Sequence, residues 1–347
     1  MVTHHVRPGP GTLRGYLTRD LPPILTIDSG DRVCYQTLDA AWGALEQNFP
    51  LTEAKEFRPR DRTRDVHHAL CGPVAIRGAE PGMTLEIRFQ RIRTGRWGWS
   101  AGPELPSQMD SRLGVPGGTS SPDAVICLPQ GRRATFWELD PERGTATSPA
   151  GVRLRLRPFM GYVGTTPNEP GIISTFPPHS CGGNMDCKEL VEGSHLYLPV
   201  ALPGGLLWIG DGHALQGDGE VAGPALACPM DPVEVEVHLH PELRLTMPRA
   251  NTPAGWITFG FDSDLNEAAS QATVEMLNLM GEVYGLRVKE ALALAGLVVD
   301  LRVTQIVNGV KGVHAILPHH AIEKVAADSD REGIAAPFAK NDVETLE

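Results

Sequence analysis

Val233-Glu234-Val235-Glu236-Val237-His238-Leu239 places an apolar side chain at every second position, and Thr84-Leu85-Glu86-Ile87-Arg88-Phe89-Gln90 repeats the pattern. A strand turns successive side chains to opposite faces, so both segments read as β-strands with one buried and one wet face. Outward from these two, further short apolar stretches follow one another with turn signals between them: 24–27, 31–37, 74–76, 124–128, 133–137, 152–156, 195–200 and 206–209. The 38 Gly and 30 Pro fall between such stretches as punctuation, the pattern of a mainly β chain. After Phe261 the period changes. Asp264 with Glu267 three residues on forms an N-terminal capping pattern, and Leu265, Ala268, Ala269, Ala272, Met276, Leu279, Met280 and Val283 recur at helical spacing up to Gly285. A second helix is predicted from about Val288 to Leu297, then closing strands at 301–307 and 313–317. The fold class read from this is mainly β, α+β overall, with residues 1–260 as a β domain, 261–325 as a smaller helical α+β portion packed on it, and 326–347 as a polar tail.

The chain of 347 residues carries 31 Lys and Arg against 42 Asp and Glu, a net charge of −11. Such a balance gathers neither phosphate backbones nor anionic lipid, which disfavours nucleic acid and membrane as partners and points to a small neutral or cationic ligand. The longest apolar run, 292–299, is broken by Gly296 and falls far short of the ~20 residues of a bilayer span. Residues 1–19 hold no apolar block of the kind a secretory signal needs, so the expected compartment is the cytoplasm. Six Cys (34, 71, 127, 181, 187 and 228) without a CxxC pair read as reduced thiols, with Cys34, Cys127 and Cys228 as small buried apolar residues. The chain has no GxSxG elbow, no GxGxxG after a strand and no P-loop.

Chemistry concentrates in two segments. Thr175-Phe176-Pro177-Pro178-His179-Ser180-Cys181-Gly182-Gly183-Asn184-Met185-Asp186 joins a glycine pair, which lets backbone approach backbone or ligand, to an amide and an acid. Gly210-Asp211-Gly212-His213-Ala214-Leu215-Gln216-Gly217-Asp218-Gly219-Glu220 reads as a strand end running into a loop with three carboxylates and one imidazole. Asp211 and His213 are two apart, so on extended backbone both point to one face and can grip one ion. Zinc is the first choice for such a set, with calcium or another divalent ion as the alternative. Asp218 and Glu220 repeat the spacing and could take a proton from water or add a ligand. Against this stands the plainer reading that Asp and Gly build tight turns, with His213 capping one of them; a DxH and a DxE pair joined to an Asn/Asp segment favour a metal or catalytic site. A thiol nucleophile at Cys181 beside His179 is the weakest reading.

GGNMD at 182–186 with GDGHALQGDGE at 210–220 resembles the acetamidase/formamidase family, metal-associated hydrolases of short aliphatic amides. The likeness continues in order through LTIDSGDRV (25–33), CGPVAIRGAEPGMTL (71–85), PFMG (158–161), PNEPG (167–171), LYLPVALPGG (196–205) and VDLRVTQIV (299–307). It implies a β-sandwich-like core with a smaller α/β portion, a pocket at the glycine loops and a homodimer or higher homo-oligomer. Its acid and imidazole cluster falls on Asp186, Asp211, His213, Asp218 and Glu220, with Asn184 beside them. Three positions depart from it, with Cys181 in place of His, Ala227 in place of Glu and His68 in place of Asn. The activity implied is hydrolysis of a formamide- or acetamide-like amide to ammonia and a carboxylate. In that scheme Asp186, Asp211 and His213 hold the metal, Glu220 or Asp218 takes the proton, Asn184 or a loop N–H donates to the carbonyl oxygen, and Gly182, Gly183, His68 and Cys181 shape the substrate pocket. The rivals are hydrolysis of a lactam or larger amide, and a paralogue that binds metal or a small molecule without turnover.

Overall fold

A computed structural model describes residues 1–43, 57–101, 109–114 and 134–323. The expected strand at 124–128 with Cys127, and the tail at 326–347, lie outside these residues. Among those described, two large sheets dominate, and no helix is long and apolar enough to cross a membrane.

The alternating segments form the middle of the first, nine-stranded sheet. Met230–His240 pairs antiparallel with Thr84–Thr94 on one side and Asp31–Thr37 on the other. Register places Val235 opposite Phe89, Val237 opposite Ile87 and Leu239 opposite Leu85, so the apolar rows share a face. In the second sheet Leu207–Leu215 is central, flanked by Phe159–Thr165, Leu70–Ile76 and Leu226–Ala227. Val235, Ile87 and Leu85 from the first sheet and Met160, Val163, Leu207 and Ile209 from the second belong to one buried cluster. Full burial of each such side chain contributes roughly 1.5–3 kcal/mol, and this shared layer holds the sheets face to face.

Among the strands that escaped the sequence reading, in whole or in part, two that build the site did so for the same reason. Phe159–Thr165 is buried at every position, and Leu207–Leu215 is buried from Leu207 through Ala214; a strand covered on both faces has no period-two alternation to detect. The expected end of the second of these at 209 is corrected here. Backbone pairing continues through Gly210, Gly212 and His213, so Asp211 and His213 sit within a sheet and not in a loop.

Leu265–Tyr284 is a helix capped by Asp264, whose side chain accepts from the Asn266 N–H, and ended by Gly285 at φ 66°. Glu267 does not close the expected box. The Asp264 N–H is instead taken by Asp262 Oδ1 at 2.8 Å. The buried stripe runs through Ala268, Ala272, Met276, Leu279 and Met280 against Val313, Ala315 and Leu317, while Leu265, expected in the stripe, is exposed. A second helix, Val288–Val298, leads to strands Asp300–Gln305 and Lys311–Leu317. These two join Gly255–Asp262 in the nine-stranded sheet, so that sheet runs across the 260/261 boundary. Met276 is fully buried, and Met276→Ala is expected to cost about 2–5 kcal/mol, what emptying such a site removes, read as a lowered urea midpoint at unchanged slope.

Candidate active site

Gly161 and Asp211 lie on adjacent antiparallel strands, between the paired rows Met160–Gly212 and Tyr162–Gly210. The absent side chain of Gly161 makes room for the centre. A Cβ there would lie 2.7 Å from Asp186 Oδ1, 2.7 Å from Asp211 Oδ2 and 2.8 Å from His213 Cε1. Asp186 reaches the same point from the chain after the Gly182–Asn184 strand, its N–H bonded to Gly161 O at 3.2 Å. Glu220 comes from the turn beyond Leu215. Asp186, Asp211 and Glu220 adopt φ of 52°, 52° and 47°, half of the six non-glycine residues with positive φ among those described. Each such backbone costs of order 1–3 kcal/mol and persists only where its surroundings over-determine it, which is a mark of functional sites.

The acids and imidazoles are all buried. His213 Nε2 lies 3.2 Å from Asp211 Oδ1, and His213 Nδ1 lies 3.7 Å from Asp186 Oδ1. His68 Nε2 stands 3.9 Å from Asp211 Oδ2, with its Nδ1 3.0 Å from the Thr175 hydroxyl. Burial works against the Asp211 charge, but His213 and His68 outweigh it and bring its pKa down to about 2. Burial lowers His213 too, yet Asp211 and Asp186 raise it overall. His68 is pushed down by burial and stays neutral. Glu220 is driven well up by burial and then by Asp186 and Asp211, and Asp186, raised first by burial, reaches about 7. Burial and like charge thus set the ionisation of the two acids against each other.

Asp186, His213 and Glu220 offer ligand atoms all within 4.8 Å of one another. Asp186 Oδ1, His213 Nδ1 and Glu220 Oε2 are also buried without a hydrogen-bond partner. Three unpartnered polar atoms in one buried place, two of them carboxylate oxygens, cost free energy unless something cationic or protic fills the gap, so the residues present fit a divalent ion. Glu220 and Gln216 line an adjoining cavity of about 250 Å³, with Trp137, Leu154, Leu215 and Leu226 among its apolar walls.

The other expected site residues are placed differently. Asp218 is held by Lys188 Nζ at 2.8 Å, which occupies its carboxylate away from the centre. Asn184 Nδ2 donates to Phe176 O at 3.0 Å, and its Oδ1 is buried and open. Gly182 and Gly183 pair with Gly164 and Val163, and a Cβ on Gly182 would meet Val163 O at 2.6 Å, so they serve the approach of two strands. The Cys181 Sγ–H donates to Thr165 O at 3.1 Å, and burial pushes the thiol up to about 12, which works against a thiolate near neutral pH. Ala227 is opposite His213 in register and packs among Ala40, Ala41, Trp99 and Phe136. Sequence reasoning missed Gln216, whose Nε2 donates to Asp186 O at 2.8 Å, and Asn308, whose Nδ2 donates to Asp186 Oδ2 at 2.6 Å.

Two packed sheets, the second carrying a buried group of acids and imidazole that could hold a metal ion, define a mainly β protein. The chain belongs to the acetamidase/formamidase family, whose model matches residues 13–172 and 170–323. It is 28% identical over 240 residues to the formamidase of Methylophilus methylotrophus and 26% identical over 246 residues to the acetamidase of Mycolicibacterium smegmatis. In these alignments the chain spans 58% and 59% of those relatives' lengths, and 58% of its own is matched in each. The crystal structure of an acetamidase from Bacillus halodurans is similar with a TM-score of 0.74 at 27% identity, over 91% of this chain and 97% of that one.

Proposed function

We propose that the protein hydrolyses the carbon–nitrogen bond of a short linear amide, of formamide or acetamide type, to ammonia and a carboxylate. The observation that carries the reading is the convergence of Asp186 Oδ1, His213 Nδ1 and Glu220 Oε2, buried and unpartnered, in a chain of this family. Asp186 and His213 would hold a divalent ion, zinc in preference to calcium because an imidazole is among the donors. When bound, such an ion polarises a carbonyl and brings the pKa of a coordinated water to about 7.

The chain's own groups then have separate tasks. Asp211 Oδ1, 3.2 Å from His213 Nε2, orients the ring so that Nδ1 faces Asp186. Glu220 Oε1 is anchored by the Ala225 N–H at 3.1 Å, which leaves Oε2 to take the proton of the attacking water and return it to the departing nitrogen. Water oxygen bonds to the carbonyl carbon, the C–N bond breaks, and the nitrogen leaves as ammonia. Asn184 Nδ2, with one hydrogen committed to Phe176 O, keeps a second as the side-chain donor for the carbonyl oxygen. The reading also places the protein in the cytoplasm as a homo-oligomer, supported by cysteines 34, 71, 181, 187 and 228 being free thiols and by the family.

Elemental analysis of purified protein, joined to ammonia release from formamide, acetamide and propionamide, tests this. Bound zinc is expected with turnover that a chelator removes and added zinc restores. Bound metal without turnover on any amide would identify a binding paralogue, and turnover indifferent to chelation would remove the metal from the scheme.

A further inference from the structure

We infer that Asn308 is a positioning residue that fixes which oxygen of Asp186 is left open toward His213 and Glu220; the inference rests on the amide-hydrolase reading and deepens it. An aspartate carboxylate turns easily about its last torsion, so its two oxygens can exchange places. Here they are distinguished. Asp186 Oδ2 accepts from Asn308 Nδ2 at 2.6 Å inside the protein, while Oδ1 has no partner and lies 3.7 Å from His213 Nδ1.

Asn308 is itself held from several directions. Gln305 Oε1 accepts from the N–H groups of Val307 and Asn308 at 2.9 and 3.0 Å, and Gln305 Nε2 donates to Val310 O at 2.7 Å. The same strand end grips the turn that carries Glu220, with the Gly219 N–H bonded to Thr304 O at 3.0 Å and the Ile306 N–H to Gly219 O at 3.2 Å. Arg302, earlier on that strand, bonds Glu189 Oε1 at 3.1 Å and lies 4.0 Å from Asp218 Oδ2. It thereby ties the chain after Asp186 to the chain before Glu220. One strand end is thus the common anchor of two acids that burial and charge set against each other, and Asn308 is the side chain through which it reaches a reacting group.

A purely structural Asn308 would fill space and close a turn, and the isosteric Asn308→Asp would then be milder than Asn308→Ala. Positioning predicts the reverse, because a carboxylate at this position would set an acceptor against Asp186 Oδ2, whereas a methyl group merely removes the donor. Zinc affinity of the full-length protein, measured by competition with a chromophoric chelator, is expected to fall about 10–100-fold in Asn308→Ala, the usual loss when the partner of a metal ligand is removed. It should fall further in Asn308→Asp, with kcat for acetamide declining in the same order. If Asn308→Ala does not fold, Asn308→Asp against wild type decides alone. Wild-type zinc affinity in Asn308→Asp, alongside a wild type that binds zinc and releases ammonia, overturns the role of Asn308 and leaves the amide reading standing. A wild type that does neither overturns both.

Discussion

Glu220→Gln is expected to lower kcat for a short amide by about 10²–10⁴, the range that a positioned acid–base group supplies. Gln keeps the shape of the side chain and the acceptor for the Ala225 N–H but cannot carry a proton away from water. KM should therefore change little, and zinc affinity should fall less than in His213→Ala, where a donor atom is lost outright. An equal loss of zinc in both variants would make Glu220 a ligand, and full activity in Glu220→Gln would remove it from the chemistry. The metal-free protein offers a second readout with a definite sign. Burial and the charges of Asp186 and Asp211 hold the Glu220 pKa well above its ordinary 4.5, so the folded state retains a proton that the unfolded state releases. Stability of the metal-free protein then falls as pH rises above the ordinary carboxylate range. Glu220→Gln removes that contribution, and its melting temperature between pH 5 and pH 8 should decline less steeply than that of the wild type. Asp186, raised to about 7, works in the same direction and leaves part of the slope in place.

Much of the architecture was legible because strands such as Met230–His240 bury only one of their two faces. Val233 to Leu239 announces itself by alternation, and Asp264 to Gly285 by a cap, a helical period and a terminal glycine. Phe159–Thr165 could not be read in this way, since burial on both faces removes the polar half of the pattern. Within the site, Asp211 and His213 were linked by their spacing, and they do meet at 3.2 Å. The same spacing rule misled at Asp218 and Glu220. Asp211, although itself at φ 52°, lies within the paired strand Leu207–Leu215, whereas Asp218 and Glu220 lie beyond its end with Gly219 and Glu220 at φ 92° and 47°, and Asp218 turns to Lys188. Asn308 is 122 residues from Asp186 in sequence, and no local pattern joins them. Gly161 is harder still to see, because its contribution is the absence of atoms.

That absence can be tested directly, and Gly161→Ala is expected to remove at least about 10²-fold of the activity, which is what a displacement near 1 Å at a reacting centre costs. The backbone at Gly161 is not among those with positive φ, so alanine meets no conformational penalty there, and space alone decides. Its Cβ would sit 2.7 Å from one oxygen of each of Asp186 and Asp211 and 2.8 Å from His213 Cε1, closer than carbon and oxygen atoms pack without moving apart. None of the three has a long flexible stem, and two of them are fixed by left-handed backbones. The carboxylates and the ring must therefore give way together, at an overpacking cost of about 1–3 kcal/mol in stability. Zinc affinity and kcat should consequently fall in step, in contrast to Glu220→Gln, where kcat falls first. Gly296→Ala is the matched control, since an added carbon there meets nothing within 4 Å and alanine favours the helix by about 1 kcal/mol. Gly161→Ala with wild-type zinc affinity and turnover would mean that the three side chains do not need their present spacing, and the centre assigned here would have to lie elsewhere.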